Sequence, residues 1–393
     1  MSSARLWWIA AGLSVGPAVS NGLARFAYGL VLPAMREDLA WSYTEAGWLN
    51  TANAIGYLAG ALGALAAIRR FGPRNLFIAG MVLTTLALIL SGLTRDFWSL
   101  TAWRILAGIG GAPVFIAGGA MAATLFRDDP WRNALAIAVY FGGGGLGQLL
   151  SGATVPLYLD AYGPGFWPQT WLGLGFVAAV ACVPAIRAAR ALAPPSNTVA
   201  EDGHARLPYL HMLSALSGYF LFGLGYLIYL TFLVAWMRED GAEAWLVAVV
   251  WSIMGIGTML SPFIWRRVLA RSRGGGAMAL SNLACGIGTL IALVMSPPIG
   301  VLLSAAVVGA SFYIVPTAAT TFGRKNLEEA QWGQSFAAFT VLFSIGQMIG
   351  PVAAGMLADF AGGVGPGLVL SGGILVLGAA VAALQRPLAA RPA

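Results

Sequence analysis

Twelve apolar runs, each about twenty residues or longer and parted by short polar breaks, dominate this chain. A run of that length is what a helix needs to cross the roughly 30 Å hydrocarbon layer of a bilayer. Lipid offers no hydrogen-bond partner, so a crossing segment must satisfy its backbone internally, as a helix or as part of a closed barrel. Polar positions do not alternate with apolar ones here, which excludes barrel strands. Composition agrees: 59% of the 393 residues are hydrophobic and 9% are charged, where a water-soluble domain carries roughly a quarter charged.

Breakers and charge clusters place the runs at about 6–33, 45–68, 75–94, 97–125, 133–159 and 168–186, then at about 208–236, 243–265, 276–296, 299–322, 332–358 and 366–385. Between the two sets lies a polar stretch with Pro194-Pro195, Glu201 and Asp202. The expected fold is an all-α membrane protein of twelve transmembrane helices in two six-helix bundles, 1–186 and 208–393, joined by a cytoplasmic linker, 187–207. Arg5 followed by an apolar run and Ala18-Val19-Ser20 has the look of a cleaved leader. The run continues to Pro33, beyond the short core of such leaders, so a retained first helix is expected.

Basic residues decide the orientation. With the N-terminus inside, seventeen of the 22 Lys and Arg fall in inner segments, three (Arg36, Arg95, Arg238) fall outside, and Arg25 and Arg104 lie within runs. Such asymmetry makes both termini cytoplasmic. It also disposes of nucleic acid as the reason for the net charge of +7, because the basic residues form no soluble patch. Cys182 and Cys285 lie inside apolar runs, and His204 and His211 are isolated. No metal site and no cofactor is expected. The glycine run Phe141–Gly147 lacks the lysine and the preceding strand of a phosphate loop, so nucleotide binding is not expected either.

The halves match each other. Residues 22–35, GLARFAYGLVLPAM, align with 223–236, GLGYLIYLTFLVAW, 201 positions on. The second run begins at Glu45 and ends in Arg69-Arg70; the eighth begins at Glu243 and ends in Arg266-Arg267. Gly147-Gln148 in the fifth run is mirrored by Gly346-Gln347 in the eleventh. A duplicated six-plus-six chain is the pattern of a secondary transporter whose site lies near the membrane midplane between the repeats.

Three motifs carry a family resemblance. The fourth run holds Leu100-xxx-Arg104-xxx-Gly108-x-Gly110-Gly111-Ala112, similar to the fourth-helix motif of the major facilitator superfamily, with Ala107 in place of its usual Gln. Arg69-Arg70-Phe71-Gly72-Pro73-Arg74 resembles that superfamily's loop between helices two and three, without its acidic residue. Gly22-xx-Arg25-Phe26-x-Tyr28 with Pro33, together with Phe222-Gly223-x-Gly225-Tyr226-xx-Tyr229, resembles the YbfB/YjiJ-like branch. The resemblance implies a fold in which helices one, four, seven and ten line a central cavity, with transport by alternating access driven by a proton gradient.

Arg25 and Arg104 are the informative charges. A charge near the bilayer centre costs a few kcal/mol on insertion scales, about 2.5–3.5, and marks function by default. Arg25 lies eight residues before Pro33 and Arg104 seven after Phe97, so at ~1.5 Å per residue both sit about 10–12 Å from the outer ends. All fifteen acidic residues map to loops or helix ends. Two deep guanidiniums without a protein anion suit a carboxylate solute, although either arginine could instead hold helix carbonyls. Asn21 and Tyr28, at i−4 and i+3, are expected on the face of Arg25. Tyr226 occupies the position equivalent to Arg25 and, with Tyr229, forms either an opposing clamp or an aromatic packing layer. Asn53, Gln148 and Gln347 either line the cavity or bond between helices, and Gly108, Gly147, Gly350 and Pro351 are expected to serve packing and rocking.

The expected function is secondary transport of a small organic anion across a bacterial inner membrane by a monomer. An exporter of drugs or metabolites with an apolar cavity is the alternative. A membrane-embedded enzyme would need a nucleophile–base or metal constellation inside the runs, and none is visible. A sensor would carry an output domain.

Overall fold

The computed structural model describes residues 2–192 and 207–388. Positions 187–191 of the expected linker complete the helix Trp167–Ala191, and 193–206 lie outside the described residues. Among the described residues all regular structure is helical, and ten helices are long and apolar enough to cross a membrane.

Each expected run has a helical counterpart. Segment one is made of Ser3–Pro17, a π-helical stretch Ala18–Phe26, and Tyr28–Leu39. Segments two and three are the two arms of one helix, Tyr43–Ser91. Segments four to six are Phe97–Ala122, Pro130–Tyr162 and Trp167–Ala191. Segments seven to nine are Leu213–Glu239, Ala244–Arg271 and Gly276–Val294. Segment ten is split into Ile299–Gly309 and Ile314–Asn326; eleven is Trp332–Ala361 and twelve Gly365–Ala383.

Local chemistry sets the ends. Ser42 and Glu45 form a capping box that starts segment two, Asp96 caps segment four at Ser99 N (2.8 Å), and Asp129 with Pro130 starts segment five. The stretch Arg69–Arg74, expected as a loop, is helical on both sides of a single break. Gly72 sits there at φ 74°, ψ 156°, a conformation that Cβ would strain, and Pro73 restarts the helix. Two further expectations are corrected. Segment one is not one regular helix over 6–33, and segment ten is interrupted between Gly309 and Ile314.

Packing repeats between the halves. Segment two lies on four as eight lies on ten; three lies on six as nine lies on twelve; one lies on five as seven lies on eleven. The halves meet along two–eleven and five–eight, a pair exchanged by the same pseudo-symmetry. Glycine makes these approaches possible. The Gly108 Cα faces the Asn53 carbonyl, Gly147 faces that of Ala18, and Gly350 faces that of Leu224, each too close for a Cβ. The Pro351 carbonyl of segment eleven rests on Gly47 of segment two in the same manner.

Alternation of the segments brings Ser3, Gly72, Ala191, Leu213 and Ala383 to one end, here the near end. Leu39, Tyr43, Ser91, Glu239 and Ala361 lie at the far end. There the halves are tied together. The Asp359 carboxylate, from the end of segment eleven, accepts from Tyr43 N (2.7 Å), Thr44 N (2.9 Å) and Thr44 Oγ1 (2.6 Å) at the start of segment two. Those amides are among the first four of a helix and have no partner within it. The Tyr43 hydroxyl donates to Glu239 of segment seven, and the Arg36 guanidinium lies 3.7 Å from the Tyr43 ring centre. One layer deeper, Asn50 Nδ2 donates to Thr231 Oγ1 (2.6 Å) and Thr51 Oγ1 to the Met348 carbonyl (2.7 Å).

Candidate functional site

Arg25 is the fixed point at the centre. It is 6% exposed, on the π-helical stretch of segment one. Its Nη2 donates to Gln347 Oε1 of segment eleven (2.6 Å), and the guanidinium carbon lies 4.9 Å from the centre of the Tyr57 ring of segment two. Gln347 Nε2 in turn donates to the Tyr226 hydroxyl. The expected opposition of Arg25 and Tyr226 is therefore bridged by Gln347. Arg25 Nε is buried without a hydrogen-bond partner. Among the described residues no carboxylate meets this guanidinium. A buried charge of that kind is costly unless paired.

Asn21 stays beside Arg25 and donates from Nδ2 to the Tyr313 hydroxyl (2.9 Å). Tyr28 does not. The π-helical turn, with its i→i+5 bonding, carries Tyr28 away from the face of Arg25. Its ring lies under Arg104 (4.7 Å) and its hydroxyl donates to the Ala46 carbonyl (2.6 Å). The face shared by Asn21, Arg25 and Tyr28, expected from α-helical spacing, is corrected to Asn21 and Arg25.

Arg104 sits at the neighbouring level, 3% exposed, yet its donors are occupied by the protein. Nη1 donates to the Ala24 carbonyl (2.5 Å), Nε to that of Leu49 (3.4 Å) and Nη2 to Asn50 Oδ1 (3.4 Å); Trp171 covers it at 5.7 Å. Asn53 Nδ2 donates to the carbonyl of Arg104 itself (3.1 Å). This cluster sews segments one, two and four together. Gln148, fully buried in segment five, has its Oε1 3.4 Å from the Thr258 hydroxyl of segment eight, while its Nε2 has no partner. Tyr229 shares a hydrogen bond with Ser304 of segment ten (2.7 Å).

A slab of aromatic rings lies against this centre, the packing layer that sequence reasoning offered at Tyr226 as one of two readings. Phe222 and Tyr226 stack at 4.6 Å, Tyr219 and Phe343 at 4.8 Å, and Tyr226 faces Phe312 at 6.3 Å, all within 17° of parallel. Phe222, Tyr226 and Tyr229 recur at helical spacing in segment seven, but Phe343 comes from segment eleven and Phe312 from the break in segment ten. The pairing becomes visible only in three dimensions.

An all-helical chain with duplicated packing, a charged centre between the halves and a tied far end has known counterparts. Residues 17–383 match the family described as "Uncharacterised MFS-type transporter YbfB". The chain belongs to this family. The transporter is 27% identical to "Monocarboxylate transporter 11" of Mus musculus over 377 residues, which cover 94% of this chain and 75% of that one. Among solved structures it resembles a bacterial homologue of the human lysosomal transporter Spinster in an inward-facing, unoccupied conformation (TM-score 0.71, 15% identity, 98% of both chains). It also resembles a point mutant of the nucleoside transporter NupG (TM-score 0.70, 14% identity, 96% of this chain and 99% of that one). At such identities the solved structures speak for the fold alone. The protein is thus a multi-pass membrane transporter of the major facilitator superfamily and not an enzyme.

Proposed function

We propose that the transporter carries a small organic anion, a monocarboxylate, across a bacterial inner membrane by alternating access, with both termini cytoplasmic, and that Arg25 receives the carboxylate. The observation that carries the reading is the Arg25 guanidinium: buried at the junction of the halves, unpaired with any carboxylate among the described residues, and keeping Nε without a partner. An anion held there would contact segment one directly and segment eleven through Gln347, so its affinity would depend on how the halves sit. That is the property alternating access requires. Arg104 serves in this reading as a clamp between helices and not as a second ligand. Similarity to a protein named as a monocarboxylate transporter supports the substrate class. The expected steep bias of basic residues supports the orientation, in which the tied far end is the outer one and the chain faces inward. A proton gradient is the proposed driver, and the carrier acts as a monomer.

The aromatic slab favours a second reading, an exporter of flat apolar solutes that uses Tyr226, Phe222 and Phe312 as its wall. One experiment separates the two. Purified protein is screened by thermal unfolding against carboxylic acids and their neutral amides, alongside Arg25→Gln. Ligand bound to the folded state raises the melting temperature. Stabilisation by acids only, reduced in Arg25→Gln, supports the anion reading; equal stabilisation by acids and amides that survives the substitution in full overturns it.

A further inference from the structure

The second piece of segment ten, Ile314–Asn326, carries an exposed polar face. Thr317, Thr320, Thr321 and Arg324 recur at i, i+3, i+4 and i+7, and Thr317, Thr320 and Arg324 are exposed. An ionisable side chain such as that of Arg324 faces water or protein at membrane depth. The threonine hydroxyls donate to the carbonyls four residues back (2.7–3.1 Å). Spent in this way, they offer an anion no proton.

Arg324 is different. Its neighbour Lys325 is spent on structure: Nζ donates at 2.8 Å to the carbonyls of Leu269, Ala270 and Ser272 and so closes the C-terminus of segment eight. Arg324 instead lies 5.5 Å from the centre of the Trp332 ring and borders a cavity of about 180 Å³ between segments ten and eleven. Thr320, Ser335, Phe339 and Tyr219 line the same cavity. A space of about 150 Å³ accommodates a benzene ring, so one small carboxylic acid fits. Tyr219, part of its lining, stacks on Phe343 and Phe222, whose rings stack on Tyr226, the partner of Gln347. Eleven residues separate Arg324 from Tyr313, which holds Asn21 beside Arg25. At ~1.5 Å per residue that is about 16 Å.

We propose that this cavity is a second anion subsite, in which Arg324 captures an organic monocarboxylate at the near end before it passes along the polar face of segment ten to Arg25. The proposal rests on the anion reading of the central site but has its own residues. Trp332 supplies a flat wall for the organic part and holds the guanidinium in place from its face.

Calorimetric titration of the purified full-length protein with benzoate, with benzamide as the neutral control, tests it. Wild type binds two benzoates. Arg324→Gln and Arg25→Gln each bind one, the double variant none, and benzamide does not bind. Ser335→Ala, a variant that leaves all charges in place, weakens only the site that Arg324→Gln removes. The site kept in Arg25→Gln loses affinity several-fold between 0.1 and 0.5 M salt, because an exposed arginine is screened. If Arg324→Gln titrates like wild type while Arg25→Gln binds nothing, the subsite is overturned and the central reading stands. If binding survives in Arg25→Gln but not in Arg324→Gln, the central reading falls and the subsite stands. A wild type that takes up no benzoate overturns both.

Discussion

Asp359→Ala removes the one carboxylate that fastens segment eleven to the start of segment two. It accepts three hydrogen bonds, from Tyr43 N at 2.7 Å, Thr44 N at 2.9 Å and Thr44 Oγ1 at 2.6 Å. Its position is that of a helix cap supplied by the other half of the chain, and losing a cap costs roughly 0.5–2 kcal/mol. Hydrogen bonds to a charged group reach about 1.5–3 kcal/mol each when buried, but Asp359 is exposed, so the three together are held to about 1–2 kcal/mol. In the open arrangement water takes over the same donors, so the whole effect falls on the closed one. The ratio of closed to open then drops about 5- to 30-fold. Thr231, fully buried behind the latch against Asn50, reports it. In a Cys182→Ser, Cys285→Ser background, Thr231→Cys reacts with a membrane-impermeant maleimide at a rate set by the open fraction. Asp359→Ala raises that rate by the stated factor and Asp359→Asn by less, since its amide keeps one acceptor. A rate within twofold of the parent in Asp359→Ala refutes the latch.

Other substitutions separate structure from binding. Arg104→Gln leaves the Ala24 and Leu49 carbonyls without their charged donor and lowers stability by about 2–3 kcal/mol, seen as a fall in detergent melting temperature. Arg25→Gln, whose guanidinium makes one hydrogen bond, lowers it less. Tyr226→Phe takes away the hydroxyl that orients Gln347 and weakens carboxylate binding about tenfold in titration, by ~1.4 kcal/mol, with the melting temperature of the unliganded protein little changed. Gly147→Val drives two methyls into the Ala18 carbonyl and abolishes the one–five contact; the protein is recovered as aggregate in size-exclusion chromatography. Lys325→Ala uncaps segment eight and lowers the melting temperature by a few degrees without altering benzoate stoichiometry.

The segments were legible in sequence because lipid leaves a chain little choice and because breakers and charge clusters part the apolar runs. The duplication was legible from Gln148 and Gln347, whose segments do pack equivalently. Side-chain direction was not always legible. Tyr28 leaves the face of Arg25 because of a π-helical turn for which no residue type is a marker. That Arg104 could hold helix carbonyls stood as an alternative in the sequence, but which carbonyls it would find, those of Ala24 and Leu49, did not, since every residue possesses one. The far-end latch joins Tyr43 to Asp359 across 316 positions, and nothing in an aspartate at a helix end foretells which helix start it will cap.

The nine-residue π-helical stretch has a geometrical corollary. A wide turn amounts to one inserted residue, and each residue of an α-helix is worth about 100° of rotation. The arm Tyr28–Leu39 is therefore phased independently of Ser3–Pro17, so that one rod can offer its lower side to segments five and six and a differently aimed upper side to segment seven. Excision of a single residue from 18–26 would tighten the coil and swing the whole upper arm like a key turned in its lock. Gly29 would then be pulled off the Leu230 carbonyl without any change in hydrophobicity.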